Sequence, residues 1–350
     1  MNEFVRGIVT FPPAPAPMGR TAVLVGLATA VPVIGFSLLG RPDDGLLASL
    51  GAVTVLYCGD RSLRARTRLL PFIALTLVLS AAVGATTAGS SGLMLIGLIL
   101  VTVVSILLCV GFDIGPPGPM FVVLVYGSAA AVAAPVSAGG GGENRLLVVV
   151  LVAIGSAFAL GLAGLTDRPS RPARQSSAPR DSTGFRLTGD HRLFALRMIL
   201  VTVLCVLVSV PLGVRHAAVI LMTALSIPIP YTSKSLSLLR SADRVCGVLA
   251  GSAIFLALSF IPVRGVVLGV VLGLLQGLIA AVVTRNFAVA LVLVTPLSLL
   301  IATSVPGSDR FGATAGWILE SLVGAAVAAG VLGLAERNPG PANPRQEAIL

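Results

Sequence analysis

The chain has 350 residues, of which 56% are hydrophobic and only 11% are charged, and its mean hydropathy is +1.00. Soluble domains carry about 25% charged residues, so this composition indicates an integral membrane protein and excludes a soluble enzyme. The net charge of +10 does not indicate a nucleic-acid partner, because the basic residues lie between apolar segments.

Twelve apolar segments, separated by Gly, Pro or charged residues, follow in chain order. The first six predicted membrane helices are 21–39, 45–57, 69–88, 92–112, 119–136 and 146–165. The second six are 193–213, 217–231, 244–261, 265–283, 287–304 and 312–335. The segments are almost uniformly apolar, whereas barrel strands would alternate in character, so we expect an all-α fold. The N-terminal residues lack the layout of a cleaved signal peptide, so the first helix should remain in the mature protein.

The basic residues predict that both termini lie in the cytoplasm. With this orientation five of the 24 lysine and arginine residues face outward, and the other 19 are cytoplasmic. The five are Arg41, Arg145, Arg215, Arg264 and Arg310. This asymmetry follows the positive-inside rule and predicts a multi-pass protein of a bacterial cytoplasmic (inner) membrane. Lys234 is the single lysine, which points to a high-GC genome.

Residues 166–190 are rich in Pro, Ser and Arg and predict a cytoplasmic linker. The linker separates an N-terminal six-helix repeat (1–165) from a C-terminal six-helix repeat (191–335), and a cytoplasmic tail (336–350) follows. Arg64 and Arg68 precede Arg240 and Arg244 by 176 residues (240 − 64 and 244 − 68). We therefore predict an internal duplication, with two copies that enter the membrane from the same side.

The second predicted helix of each half is short, and the one in the second half is interrupted by Pro228 and Pro230. Short or interrupted segments at matching positions indicate a transport site, because the freed backbone groups must line a cavity. The alternative is that proline merely ends the helix before a loop. The sequence favours neither interpretation.

Arg240 and Arg244 are four residues apart and therefore lie on one helical face, with Gly247 and Gly251 after them. Two guanidinium groups at the cytoplasmic mouth could bind a carboxylate. The sequence favours the alternative, in which the arginines fix the orientation and the glycines pack against a neighbouring helix. Four further glycines predict a packing face on the tenth helix: Gly265, Gly269, Gly273 and Gly277.

Glu320 is the one acidic residue well inside a predicted helix. A charged group at the centre of a span costs roughly 2.5 to 3.5 kcal/mol, so Glu320 should pair with a cation or carry a proton. Trp317, one turn earlier, could form an aromatic wall or anchor the helix at the interface. The cysteines stand far apart and only two histidines exist, so we expect no metal, no cofactor and no catalytic residues.

Three motifs in this order resemble those of the fusaric acid resistance (FUSC) and aromatic acid exporter family, most clearly over residues 193–335. They are Arg240-x-x-x-Arg244-x-x-Gly247-x-x-x-Gly251, Asn286-Phe287 followed by Thr295-Pro296, and Glu320 before Leu322-x-Gly324. The resemblance implies proton-driven export of aromatic or amphipathic organic acids, with the substrate near the repeat interface and Glu320 as the proton-coupling residue. The candidate substrate-binding residues are Arg64, Arg68, Pro228, Pro230, Arg240, Arg244, Asn286 and Thr295.

Two alternatives to an exporter stay open at this point. One is a passive organic-anion channel of similar architecture, and the other is a non-transporting subunit of a membrane complex. We expect the lipid bilayer as a partner of the exporter and of both alternatives. The exporter and the channel should also bind a small organic anion. Homo-oligomerisation is left open.

Overall fold

The computed structural model describes residues 19–57, 63–115, 117–138, 140–166, 184–227, 234–261, 263–283, 286–304 and 309–335. Within these ranges all regular structure is helical, with twelve α-helices, two short 3-10 helices and no strand. Most of the predicted linker, the segment with Pro228 and Pro230, and the predicted tail lie outside the described residues.

Each predicted apolar segment overlaps one α-helix. The first half contains α1 (Gly19–Leu38), α2 (Pro42–Ala52), α3 (Leu63–Thr87), α4 (Ser91–Gly111), α5 (Met120–Ala133) and α6 (Arg145–Thr166). The second half contains α7 (Gly189–Ser209), α8 (Val214–Leu225), α9 (Lys234–Leu258), α10 (Gly265–Val282), α11 (Phe287–Ala302) and α12 (Arg310–Ala335). The 3-10 helices are Val53–Leu56 and Val136–Ala138.

Eight of these helices are long and apolar enough to cross a membrane, whose hydrocarbon core needs about 20 helical residues. The four shorter helices are α2, α5, α8 and α11, which are the second and fifth helices of each half. Large apolar side chains, such as Leu79, Leu100, Leu207 and Leu274, are exposed on the outer surface, as is typical of helices embedded in lipid. The prediction of an all-helical, multi-pass integral membrane protein is therefore confirmed.

One predicted boundary is wrong by ten residues: α9 begins at Lys234, whereas the apolar pattern placed its start at Arg244. The first turns of α9 are polar, so hydropathy alone does not mark them as part of the helix. Arg244 consequently lies about 15 Å inside α9 at 1.5 Å per residue, and not at its mouth. In the same way α3 begins at Leu63, ahead of the predicted residue 69.

The helices of each half pack in the same pairs. In the first half α3 packs against α5 and α6, and α2 packs against α1 and α6. In the second half α9 packs against α11 and α12, and α8 packs against α7 and α12. The halves interlock, because α1 packs against α10 and α7 packs against α4, so that the first helix of each half contacts the fourth helix of the other. One hydrophobic cluster consequently contains residues of both halves.

Glycines line the contact between α1 and α10. A Cβ atom added to Gly273 would lie 2.6 Å from the Cβ of Ala30 and 2.8 Å from the carbonyl oxygen of Gly26. Gly269 and Gly277 also lie against α1. Gly265 differs, because no neighbouring atom lies within 4 Å of its added Cβ and its φ of +57° is a conformation that favours glycine. Gly265 therefore begins α10 and takes no part in its packing face.

A second kind of glycine contact joins the sixth helix of each half to the second helix of the same half. On α6, a Cβ atom added to Gly155 would overlap the carbonyl oxygen of Ala48 on α2. On α12, a Cβ atom added to Gly324 would overlap the carbonyl oxygen of Ile220 on α8. The sixth helix of each half thus approaches the second helix backbone to backbone, at a distance that only glycine permits.

Candidate functional site

The candidate site is built around α8, a short helix enclosed by its neighbours. Gly213, with a φ of +105°, turns the chain from α7 into α8. The helix then packs against α5, α7 and α12, and its residues from Ile220 to Leu225 are all buried. Any charged or polar group on α8 that faces these neighbours must find its partner within the protein.

Glu320 finds its partner on α8. The carboxylate oxygen Oε1 of Glu320 contacts the ring nitrogen Nδ1 of His216, in the first turn of α8. The side chain of Glu320 is 11% exposed, whereas that of His216 is 43% exposed. Gly324, one turn after Glu320, allows α12 to approach α8 closely enough for this contact. The pair therefore joins a buried acid to a side chain that reaches the surface.

Arg244 is almost completely buried, with 3% of the residue exposed. Its Nη2 donates a hydrogen bond of 3.1 Å to the hydroxyl oxygen of Thr223 on α8. Its Nε has no hydrogen-bond partner within the part of the chain that the structure describes. A guanidinium group has five N–H donors, and a buried one is costly unless acceptors surround it. Arg244 thus retains donors that can bind an additional acceptor.

Arg244 and the pair of Glu320 and His216 are arranged along one face of α8. Their contacts on α8, Thr223 and His216, are seven residues apart, which is close to two helical turns and about 10 Å along the axis. The face carries a fixed positive charge at one level and an acid that can exchange a proton at the other. This arrangement can bind an anion and can link that binding to protonation.

Three more buried donors lie on α9 and α12, which pack against each other. They are the hydroxyl groups of Ser252 and Ser321 and the indole nitrogen of Trp317. None of the three has a hydrogen-bond partner among the described residues. Trp317 is buried, so its side chain is not an interfacial anchor but part of the interior. Donors without acceptors suit a ligand that itself carries acceptor oxygens.

Other residues that the sequence singled out occupy positions on α11. The side-chain oxygen of Asn286 accepts a hydrogen bond of 3.1 Å from the backbone nitrogen of Val289 and so caps the helix. The hydroxyl of Thr295 donates to the carbonyl oxygen of Leu291 at 3.1 Å. Gly247 and Gly251 of α9 lie against Leu291 and Thr295. These contacts stabilise α11 and its packing and do not involve α8.

The remaining predicted residues are not brought to α8 by any described contact. Arg68 is exposed on α3. Arg64 and Arg240 lie on α3 and α9, but their side chains are outside the described residues, as are Pro228 and Pro230. Of the predicted residues, the structure therefore places Arg244 and Glu320 against one face of α8, about two helical turns apart.

The first half lacks the acid–histidine pair. The glycine contacts described above align Gly324 with Gly155, and Ile220 with Ala48. Four residues before these positions, Glu320 corresponds to Leu151 and His216 corresponds to Asp44. Leu151 is a buried apolar residue, and Asp44 pairs with Arg41, whose Nε lies 2.6 Å from the Oδ2 of Asp44. The two halves thus present different chemistry at the same level of the fold.

His216 is the residue that sequence reasoning missed. The apolar pattern placed it in the loop before the eighth apolar segment, and two histidines alone predicted neither a metal site nor a catalytic site. Its partner lies 104 residues away on another helix. The available signal was a histidine at the very start of a predicted span, which does not identify the helix it contacts.

A cavity lies where the two halves meet, on a different face of α8. Its volume is about 30 Å³. It is lined by residues of α4, α5 and α8, namely Met94, Leu98, Tyr126, Gly127, Ala130, Ala131, Val214, Arg215 and Ala218. The hydroxyl of Tyr126 donates to the carbonyl oxygen of Met94 at 2.7 Å. The interface between the halves therefore contains space beside the helix that carries His216.

Residues 191–331 match the family model described as fusaric acid resistance protein-like. The uncharacterized membrane protein YvaC of Bacillus subtilis (strain 168) is 31% identical over 107 residues, which are 31% of this chain. The match spans 17% of YvaC, so this chain aligns with a small part of that protein. No solved structure matches. The predicted resemblance is confirmed over residues 191–331, which include Arg244, His216 and Glu320 and match the fusaric acid resistance protein-like model.

Proposed function

We propose that the protein is a secondary exporter of aromatic or amphipathic organic acids, driven by the proton gradient, which converts no substrate chemically. The observation that carries this proposal is that two buried ionisable side chains, Arg244 of α9 and Glu320 of α12, contact the same face of α8. Glu320 and Arg244 lie within a membrane-embedded helical bundle, where each would be costly without a function. The description of the family as fusaric acid resistance protein-like supports an organic acid as substrate.

Arg244 supplies the binding site for the carboxylate of the substrate. A guanidinium group can hold a carboxylate with two parallel hydrogen bonds, which a lysine cannot do. Ser252, Ser321 and the indole nitrogen of Trp317 are further buried donors on α9 and α12. The Trp317 ring also offers an apolar surface to an aromatic or amphipathic acid.

Glu320 couples transport to the proton gradient. Exchange of one exported anion for one imported proton moves two charges in the favourable direction, which is worth about 4.6 kcal/mol at 100 mV. A passive anion channel moves one charge, worth about 2.3 kcal/mol at 100 mV. Each factor of ten in the ratio of substrate concentrations across the membrane corresponds to about 1.4 kcal/mol. The largest ratio is therefore about 2,000 for the exchanger and about 50 for the channel.

The first experiment measures accumulation of a labelled aromatic acid in inverted membrane vesicles at 100 mV, interior positive, without a pH difference. Wild-type protein should accumulate the acid well beyond the channel limit of about 50-fold. A protonophore should abolish this accumulation. A ratio that never exceeds the channel limit would favour the passive channel, and no uptake of any acid in a broad panel would favour a non-transporting subunit.

Arg244→Lys is expected to raise the apparent KM of uptake about tenfold, through the loss of one charge-assisted hydrogen bond worth about 1.5 kcal/mol. Lysine keeps the positive charge but not the bidentate geometry. The measurement is the initial rate of uptake, normalised to folded protein. Arg192→Lys, at an exposed position of α7, is the matched control and should behave as wild type. An unchanged KM in Arg244→Lys would assign Arg244 to the structure and not to the site.

We further propose that the two halves form a parallel repeat with both termini in the cytoplasm of a bacterial cell. The repeat is supported by the matching helix pairs, by the positions of the short helices, and by the glycine contact between the second and sixth helices of each half. The orientation is supported by the asymmetry of the basic residues. With it, the start of α8 faces outward and the start of α9 faces the cytoplasm.

This orientation predicts that small tags at either terminus react with a membrane-impermeant label only after the cells are opened. A tag in the segment 139–142, between α5 and α6, should react in intact cells. Parallel labelling of intact and opened cells provides the comparison. Reaction of either terminus from outside intact cells would show that the orientation is wrong.

A further inference from the structure

The contact between His216 and Glu320 links the interior of the bundle to its surface in a single step. Glu320 is buried, and the ring of His216, which contacts it through Nδ1, is 43% exposed. The second ring nitrogen, Nε2, is not engaged by Glu320. Imidazole can accept a proton at one nitrogen while it donates from the other, so the ring spans the distance between water and the buried acid.

Few other charged groups lie near this pair. On α8 itself Arg215 lines the cavity at the interface of the halves, together with Tyr126 of α5. On α12 the guanidinium of Arg310 donates to the carbonyl oxygen of Ser259. On α9 Arg244 bonds Thr223, about two turns further along α8. Within the described ranges, α4, α5, α8 and α12 carry no carboxylate besides Glu320.

The charged residues of α7 are also distant from the pair, because they lie in the first turns of that helix and α8 follows its far end. They are Asp190, whose side chain is outside the described residues, His191, Arg192 and Arg197. His191 is half-buried, and its Nδ1 lies 3.2 Å from the carbonyl oxygen of Arg186. His216 is thus the only described titratable side chain in contact with Glu320.

We propose that His216 is the proton relay to Glu320, and that it opens to the aqueous phase at the N-terminal end of α8. Hydronium gives a proton to Nε2 of the neutral ring, leaving water, and the proton on Nδ1 passes to Oε1 of the Glu320 carboxylate. The products are neutral imidazole, with its proton now on Nε2, and neutral carboxylic acid. The relay rests on the proposed proton coupling, and in the proposed orientation it draws protons from outside, where an inward gradient supplies them.

The test uses the full-length protein in inverted vesicles and compares His216→Gln, His216→Ala and the control His191→Gln. Gradient-driven uptake by the two His216 variants should fall about 100-fold, as for loss of a positioned acid–base group. Exchange of labelled for unlabelled substrate without a gradient should be retained, because it needs no net proton transfer. Glutamine can still donate a hydrogen bond to Glu320, so His216→Gln keeps the contact between α8 and α12 while removing the proton carrier.

Chemical rescue separates a relay from a structural role. Imidazole added to the vesicles should restore gradient-driven uptake by His216→Ala, because the vacated position is open to water, and should not restore it in Glu320→Gln. Parallel loss of uptake and exchange without rescue would overturn the relay, as would unimpaired gradient-driven uptake by His216→Gln. Absence of gradient-driven uptake by the wild type would overturn the proposed function and the relay with it.

Discussion

Glu320→Gln is expected to abolish uphill export while the protein stays folded and continues to exchange substrate. Glutamine keeps the shape of the side chain and can still bond to the ring of His216, but it cannot bind and release a proton. Accumulation at 100 mV should therefore fall from beyond about 50-fold to no more than this passive limit. The measurement is gradient-driven uptake into inverted vesicles, normalised to folded protein, with substrate exchange measured on the same preparation.

Glu143→Gln is the control for Glu320→Gln, because Glu143 is an exposed acid in the connection before α6. It should transport as the wild type does. Wild-type uphill transport by Glu320→Gln would remove Glu320 from the coupling mechanism and require a different proton carrier. A fall in the amount of folded Glu320→Gln protein would instead assign the carboxylate to the packing of α8 against α12.

Gly155→Ala is expected to lower the stability of the folded protein by about 1 to 3 kcal/mol, the usual cost of an extra methyl group in a packed interior. The added Cβ would overlap the carbonyl oxygen of Ala48, which is a backbone atom and cannot rotate away. Either α6 or α2 must shift. The measurement is the thermal unfolding midpoint of the protein in detergent, together with its abundance in the membrane.

Gly161→Ala, on the same helix, is the matched control. No atom lies within 4 Å of a Cβ atom added at Gly161, which is exposed. Because alanine favours a helix over glycine by up to about 1 kcal/mol, this variant should be as stable as the wild type or slightly more so. Equal stability of the Gly155 and Gly161 variants would mean that α6 and α2 do not meet at Gly155.

The number and type of the helices could be predicted because a membrane helix is marked locally, by about 20 consecutive apolar residues. The start of α9 could not be predicted, because its first turns contain charged residues and the apolar pattern assigns such residues to a loop. Whether those turns remain helical depends on the neighbours that cover them. The burial of Arg244 follows from this difference, because α8 and its Thr223 enclose a side chain that hydropathy assigns to the membrane surface.

Glu320 could be recognised from its depth in an apolar segment, but its partner could not. The contact between His216 and Glu320 depends on which faces of α8 and α12 meet, and a periodic pattern identifies a face without identifying what covers it. The same holds for the glycines of α10. Their spacing predicts a packing face, yet only the fold shows that this face meets α1 of the other half.

The interlocking of the halves sets an order of events during synthesis. Gly26 of α1 leaves the ribosome 247 residues ahead of Gly273 of α10 (273 − 26). At about 5 to 20 residues per second, α1 waits roughly 10 to 50 s in the bilayer before its partner is made. During this time its strip of small residues faces lipid or an insertion factor. A chain cut between the halves would leave that strip without its partner helix, so α1 reaches its final packing only after α10 has been made.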